Sequence, residues 1–290
     1  MSGEAQPMQK PDATGMRIRV LGPLSLTNHD TSITPTAPKP RSVLALLLIH
    51  AGHAVSAAAL FYELWGDEPP HSAATTLQTY VLHLRRLLST GLGTDPATIA
   101  TTVLMTTPGG YLLNPATDDF DLHRYQRLTT AGRQALAYGD NTRAADLLQD
   151  AQSQWSGPAF TGVHAGALLR PQIKRLEESR LTTIEQSIEA RLRLGRHQEV
   201  LPELAGMLAE HPHHENLHAQ LMIALHRSGR RHDALQAFQR LRAALTTELG
   251  LEPCLRLRML HQAILADDPA LQVPPRDDGL AQTIDNLAVR

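Results

Sequence analysis

The sequence has little of what several protein classes require. Its 290 residues include a single cysteine, Cys254, which excludes an intramolecular disulfide framework. Aromatic residues make up only 4% of the chain, whereas leucine and alanine are abundant, and this composition favours helices over sandwiches or barrels. The longest uninterrupted apolar run, Val43 to Ile49, is far shorter than the roughly 18 residues of a membrane span. The polar N-terminus also lacks a secretory signal, so we expect a cytoplasmic protein without membrane contact.

An excess of positive charge is missing as well. Residues 1–115 contain 7 Lys/Arg and 7 Asp/Glu, and residues 116–290 contain 20 and 22. The strongly basic balance of many nucleic-acid binders is therefore excluded. Any contact with DNA has to come from a local basic edge.

Motifs of catalysis are equally scarce. The chain has no G-x-x-x-x-G-K-[ST] phosphate loop and no nucleophile elbow. The segment HPHHENLH (211–218) places His214 and His218 one helical turn apart, which raises the alternative of a metal-dependent hydrolase. Since this segment coincides with a turn between helices and no cysteine joins it, we favour a chance cluster. We expect no metal, no cofactor and no enzymatic activity, and we expect Cys254 to be a small buried residue.

The first 70 residues combine a strand pattern with two helix patterns. Residues 17–26 alternate like a β-strand. From Arg41 onward, apolar residues recur at helical spacing. Ser56 is expected to be the N-cap of a second helix, which Gly66 ends.

A third helix and a β-hairpin follow. In TLQTYVLHLRRLL (76–88) an apolar stripe faces two polar flanks, and Ser72 is its expected N-cap. The β-branched run at 98–113 contains the turn Pro108–Gly110 and predicts the hairpin. Three helices followed by a hairpin is the order of a winged helix-turn-helix, whose third helix enters the major groove of DNA.

Helical repeats dominate the remainder. Gly195 matches Gly229, and Leu201 matches Leu235, at a constant offset of 34 residues, which is the period of tetratricopeptide hairpins. Two such units alone would be fragile, so helices at 123–138 and 142–155 are expected to complete the stack.

The predicted fold is therefore mainly α, with an N-terminal winged helix-turn-helix domain (α+β) and an all-α helical-repeat domain like tetratricopeptide arrays. The predicted order is a disordered tail at 1–15, the DNA-binding domain at 16–115, the helical-repeat domain at 116–268 and a flexible tail at 269–290.

Several short motifs occur in an order that is typical of one family. They are RIRVLGPL (17–24), LWGDEPP (64–70), TLQTYVLHLRRLL (76–88), PGGYLL (108–113), WSGPAF (155–160) and TTELGLEP (246–253). In this respect the chain, from about residue 16 to about residue 269, resembles the Streptomyces antibiotic regulatory proteins (SARPs). These are transcriptional activators with an OmpR-type winged helix and a bacterial transcriptional activation domain. Because the chain has no phosphate loop, it resembles the short members without an ATPase module.

The resemblance implies a function and a set of partners. It implies binding to double-stranded promoter DNA at direct repeats near the −35 region, and recruitment of RNA polymerase holoenzyme with its sigma factor. It also implies a homodimer on DNA, association with the nucleoid, and activation of an antibiotic biosynthesis cluster. The alternative is a helical-repeat adaptor that binds proteins without specific DNA contact, which the neutral charge favours.

Candidate DNA contacts follow from the order of elements. Gln pairs with adenine, Arg with guanine, and the Thr methyl group packs against thymine; an Arg can instead hold phosphate. In the recognition helix the candidates are Thr76, Gln78, Thr79, His83, Arg85 and Arg86. In the wing and near the DNA backbone they are Lys39, Arg41, Trp65, Thr106, Thr107 and Tyr111.

Three of these candidates carry particular expectations. Relatives often have Ser-Arg where this chain has Leu82-His83, so we expect either that the recognised sequence differs or that Arg85 supplies more of the specificity, and we favour Arg85. Trp65 and Tyr111 have core packing as their alternative role.

Overall fold

The computed structural model describes residues 15–29, 31–115, 117 and 119–272. The predicted tail at 1–15 lies outside them except for Gly15, and residues 273–290 of the predicted C-terminal tail also lie outside. The described residues form two compact units. The first contains those up to Leu128 together with Asp150–Leu181, and the second contains Thr129–Gln149 and those from Thr182 onward.

A small antiparallel sheet begins the first unit. Its strands are β1 (Met16–Arg19), β2 (Ser25–Asn28) and β3 (Thr31–Ser32), in the order β1-β2-β3. The single strand predicted over 17–26 is wrong, because the chain turns at Gly22-Pro23 and proline cannot donate to a ladder.

Two helices and a short strand come next. Helix α1 (Pro38–Ile49) buries every residue from Ser42 to Leu48, and a helix that is buried all round lies at the centre of a core. Strand β4 (Ala54–Ser56) leads into α2 (Ala57–Trp65). The predicted cap is confirmed, since Ser56 Oγ accepts from Ala59 N at 3.1 Å. Gly66 ends α2 with a φ of +64°, as predicted.

The last part of the winged helix differs from expectation in one element. Helix α3 spans Ala73–Leu92; Ser72 holds the N-cap position without a capping side-chain bond. The first half of the predicted 98–113 hairpin is instead helix α4 (Pro96–Thr102). The Asp95 carboxylate accepts from the N–H groups of Ala97 and Thr98, both at 3.0 Å, and this cap overrides the β-branched run.

The hairpin itself is shorter than predicted. It consists of β5 (Leu104–Thr107) and β6 (Gly110–Leu113), and the sheet order is β4-β6-β5. Its predicted turn is confirmed, with Gly109 at a φ of +79°. A Cβ at Gly110 would lie 2.1 Å from Val55 O, so only glycine fits there.

The core of the first unit joins residues that are distant in sequence. Phe120, Phe160 and Leu169 are fully buried in the same cluster as the α1 and α3 side chains. Residues 150–181 are therefore part of the structure that holds α3.

Asp121 holds one of these distant connections. Its buried carboxylate accepts from Val20 N at 2.8 Å, Leu21 N at 3.0 Å and Leu122 N at 2.7 Å. Burial raises the pKa of this carboxyl above its usual value, while the three N–H donors oppose that shift.

Glu63, on α2, holds a second connection between residues that are distant in sequence. Only 5% of this residue is exposed, and its carboxylate accepts from Gly166 N at 2.5 Å, Leu168 N at 2.8 Å and Leu169 N at 3.0 Å. These N–H groups belong to the first turn of α7 (Leu169–Arg193) and the residues before it. The carboxylate therefore caps that helix from a different element.

The described residues from Asp121 to Leu271 form only helical elements, which confirms the all-α prediction for this part of the chain. They are α5 (Asp121–Ala137), α6 (Asn141–Gln152), α7 (Leu169–Arg193), α8 (Leu201–Glu210), α9 (Glu215–Arg227), α10 (Arg231–Ala244) and α11 (Leu255–Ala266). A π-helical turn at Leu245–Leu249 follows α10, and a 3-10 turn at Pro269–Leu271 follows α11.

The predicted repeat is visible in the second unit. Gly195 and Gly229 have φ values of +76° and +75°, so each makes the same left-handed turn before a helix. Leu204 and Phe238, which are separated by the same 34 residues, are both buried. The match is imperfect at the start of the helices. Helix α10 begins at Arg231, but the corresponding residues 197–200 form a turn, and α8 begins after them at Leu201.

The prediction for Cys254 is wrong. The residue is exposed at the N-cap of α11, where its backbone N–H donates to Glu215 Oε2 at 2.6 Å. A position at a helix start keeps it out of the core that Leu257 and Ile264 enter.

Candidate nucleic-acid interface

Helix α3 has two distinct sides. Leu77, Val81, Leu84 and Leu88 are buried at three- and four-residue spacing. The opposite side, the outer face of α3, consists of the exposed residues Gln78, Thr79, Leu82, His83 and Arg86. The buried stripe fixes the helix, and the outer face remains for contacts with another molecule.

The six predicted residues of α3 do not share one environment. Thr76 is half-buried, and Thr79 Oγ1 donates to Thr75 O at 2.9 Å, as an exposed helical threonine commonly does. Gln78, His83 and Arg86 are exposed. Arg86 makes no hydrogen bond or ion pair with any described residue, so its guanidinium is available for phosphate or a base edge.

Arg85 points elsewhere. It is half-buried, and its Nε and Nη2 donate to Leu104 O at 3.0 and 2.8 Å. Nη2 also donates to Thr106 Oγ1 at 2.8 Å. Arg85 therefore links α3 to strand β5, and its base-reading role stays a prediction.

The predicted wing residues lie on the hairpin. Thr106 is exposed and accepts from Arg85, whereas Thr107 is half-buried and its Oγ1 has no hydrogen-bond partner among the described residues. Tyr111 is half-buried, packs against the core and lies opposite Val55 in the β4–β6 register. On this wing the Thr106 hydroxyl is therefore exposed, whereas the Thr107 hydroxyl is buried.

Lys39 and Trp65 are brought together at the end of α2. Lys39 Nζ donates to Leu64 O and lies 5.5 Å from the centroid of the Trp65 ring, within cation–π distance. Trp65 is half-buried and packs on Phe61, at 6.0 Å between centroids. The Lys39 ammonium group therefore already has a hydrogen-bond acceptor and an aromatic partner within the fold.

Arg41 is separate from that pair. Its Nη2 donates to Leu24 O at 3.4 Å, and its Nε is buried without a hydrogen-bond partner among the described residues. A phosphate contact by Arg41 would therefore require its side chain to leave Leu24.

The histidine cluster is explained by local contacts. His214 caps α9, and its Nε2 lies 3.2 Å from Glu185 Oε1. His213 Nε2 lies 3.0 Å from Glu248 Oε2, and His218 Nε2 lies 2.9 Å from Pro212 O. Across the part of the chain that the structure describes, no three His, Cys, Asp or Glu residues are grouped as metal ligands.

Two residues escaped the sequence reasoning. Glu63 has no local signal, because its partners lie about 100 residues away in sequence. For Leu82 the sequence did carry a signal, since it is an apolar residue within an otherwise polar flank, and 48% of it is exposed.

Among the described helices, none is long and apolar enough to span a membrane.

Comparisons with known proteins agree with this arrangement. Residues 31–112 match the family model of the C-terminal domain of transcriptional regulatory proteins, and residues 120–265 match that of the bacterial transcriptional activator domain. The chain is similar to regulatory protein DnrI of Streptomyces peucetius, at 48% identity over 88% of this chain and 94% of that protein. It is also similar to transcriptional regulator RedD of Streptomyces coelicolor, at 36% identity over 89% and 73%.

A solved structure has the same fold. Mycobacterium tuberculosis EmbR, in complex with a low-affinity phosphopeptide, aligns with a TM-score of 0.81 and 33% identity. The alignment covers 95% of this chain and 70% of that one.

Proposed function

Because this chain belongs to the Streptomyces antibiotic regulatory protein family of transcriptional activators, we propose that it switches on an antibiotic biosynthesis cluster by docking α3 in the major groove. Members of the family are transcriptional regulators and not enzymes. In this proposal the outer face of α3 reads direct repeats near the promoter −35 region. The β5–β6 hairpin contacts the adjacent DNA backbone.

One observation carries the proposal: the outer face of α3 is exposed while the rest of the helix is held in the core. Gln78, Thr79, His83 and Arg86 supply hydrogen-bonding groups of the kinds that read base edges. The hairpin that follows is tied to α3 by Arg85, so helix and wing can engage DNA together. Such preorganisation reduces the entropy lost on binding.

The partners in this proposal follow from the family. We propose a homodimer on DNA, with RNA polymerase holoenzyme and its sigma factor as the protein partner, in the cytoplasm at the nucleoid. Residues 16–115 would carry the DNA contacts, and residues 116–268 would act as the activation domain. The second unit supports this role because α8, α9, α10 and α11 pack on one another, as the helices of repeat proteins that bind other proteins do.

A binding experiment tests the proposal. The full chain would be used to select sites from a random duplex pool, and the selected site would be compared with a scrambled duplex at physiological salt. We expect specific binding by the wild type and at least tenfold weaker binding by Arg86→Ala. Arg143→Ala is the matched control, because Arg143 is also exposed, lies on α6 and should leave the affinity unchanged.

Each alternative has a distinct outcome. If no sequence is enriched, or if the enriched duplex and its scrambled version bind equally, the adaptor alternative is favoured and the proposal is overturned. If Arg86 holds only phosphate, its removal weakens binding on all sequences alike, and the slope of log affinity against log salt becomes shallower by about one.

A further inference from the structure

Leu82 is an apolar side chain in the middle of the outer face of α3. It follows Gln78 and Thr79 by one helical turn and precedes Arg86 by one turn. Its exposed fraction is 48%, and in the described part of the first unit Tyr62 is the only other large apolar residue so exposed. Leu82 therefore lies at the centre of the surface proposed to face DNA.

The fold does not need an apolar residue here. The buried stripe of α3 is complete without Leu82, because it consists of Leu77, Val81, Leu84 and Leu88. A polar residue at this position would leave the helix intact, since substitutions at exposed sites usually change stability little. The apolar character of Leu82 is thus available for a partner.

The surroundings of Leu82 limit what that partner can be. Its neighbours on the outer face are an amide, a hydroxyl, an imidazole and a guanidinium, so the apolar area is that of one side chain. Protein docking sites bury much larger contiguous apolar patches. A single small apolar group fits the site better than a protein surface does.

The major groove contains such a group. Thymine presents its 5-methyl group there, whereas the other three bases present only hydrogen-bond donors and acceptors of their own pattern. We infer that Leu82 reads a thymine by packing against its 5-methyl group. This inference rests on the proposed function, because it requires α3 to lie in the major groove.

The position of Arg85 strengthens the case for apolar readout. Its guanidinium donates to Leu104 O and Thr106 Oγ1, so on the outer face Arg86 is the arginine that remains for hydrogen bonds to DNA. With fewer charged donors at the bases, a contact with a methyl group has a larger share in specificity.

Replacing thymine by deoxyuridine tests the inference, because it removes the methyl group and nothing else. Each thymine of the selected site would be replaced in turn, and the affinity of the full chain would be measured by fluorescence anisotropy. At one thymine in each half-site we expect about fourfold weaker binding, the value of one buried methyl group. With Leu82→Ala, the penalty at that thymine should disappear, while penalties at thymines read by Thr79 persist.

A matched control and three outcomes complete the design. Leu249→Ala makes the same change at a residue with 52% exposure in the second unit, and it should keep every deoxyuridine penalty of the wild type. If no thymine shows a penalty, or if Leu82→Ala retains all of them, the inference is overturned while the proposed function stands. If the wild type shows no specific binding at all, the proposed function fails first.

Discussion

At the scale of single residues, Glu63 has the largest predicted effect on stability. Its carboxylate accepts from three backbone N–H groups and is nearly inaccessible to water. We expect Glu63→Ala to lower the free energy of unfolding by about 2–4 kcal/mol, because it leaves two partly buried donors and one buried donor unpaired. Glu63→Gln should cost less, since the amide oxygen still accepts.

The measurement can be confined to the first unit. Both tryptophans of the chain, Trp65 and Trp155, lie in that unit, so tryptophan fluorescence during urea unfolding reports on it selectively. Glu68→Ala, at an exposed loop position, is the control and should change the free energy by less than about 0.5 kcal/mol. Equal effects at Glu63 and Glu68 would contradict the capping role.

At the scale of elements, the link between α3 and the hairpin makes a prediction about DNA affinity. If Arg85 acts by holding the wing, then Arg85→Ala and Thr106→Val share one loss, the hydrogen bond between Arg85 and Thr106. Their effects on operator affinity should therefore be non-additive, with a coupling of about 1 kcal/mol or more in a double-mutant cycle. The effects of Arg86→Ala and Thr106→Val should add.

If the effects of Arg85→Ala and Thr106→Val on operator affinity are additive, Arg85 contacts DNA independently of the wing. In that case the original expectation, in which Arg85 reads a base, would be favoured over a bracing role.

The repeat turns of the second unit make a second prediction at this scale. Alanine at Gly195 or Gly229 would have to adopt a φ near +75°, so each change should lower the free energy of unfolding by about 1–2 kcal/mol. Gly206→Ala is the control. It lies inside α8 with open space around its Cβ position, and it should stabilise the helix by about 0.5–1 kcal/mol. Thermal unfolding followed by circular dichroism would show both the destabilisation at Gly195 or Gly229 and the stabilisation at Gly206.

These elements also show how far sequence reasoning reaches. The Ser56 cap, the Gly66 stop and the Gly109 turn were predicted correctly, because each depends on a local backbone requirement. Helix α4 was missed because its β-branched residues favour a strand, although Asp95-Pro96 is a helix-start signal that could have revealed it.

The orientation of Arg85 and the partners of Glu63 required the structure. Both depend on residues from another element, and helical periodicity reports only which side of a helix is apolar.

At the scale of the whole molecule, charge predicts how binding responds to salt. The winged-helix residues, 16–115, contain 6 Lys/Arg and 5 Asp/Glu, a net charge of only +1, and several of their cations already have partners: Arg17 and Arg19 pair with Asp119, and Lys39 is bonded to Leu64 O. We expect few phosphates to be neutralised, and hence a slope of log affinity against log salt of about −2 to −4 per protomer. Anisotropy titrations at salt concentrations from about 50 to about 200 mM would measure this slope. A slope steeper than about −6 would contradict this count.

The discontinuity of the first unit matters for anyone who exchanges parts between relatives. A fragment cut after residue 115 would contain α3 and its hairpin but would lose Phe120, Phe160 and Leu169 from the core, along with the chain that Glu63 caps. Grafting a new DNA specificity by fusing such fragments would therefore expose apolar surface on both pieces. Chimeras are better built by transplanting the outer face of α3 alone, so that recombination leaves every buried contact with its original partner.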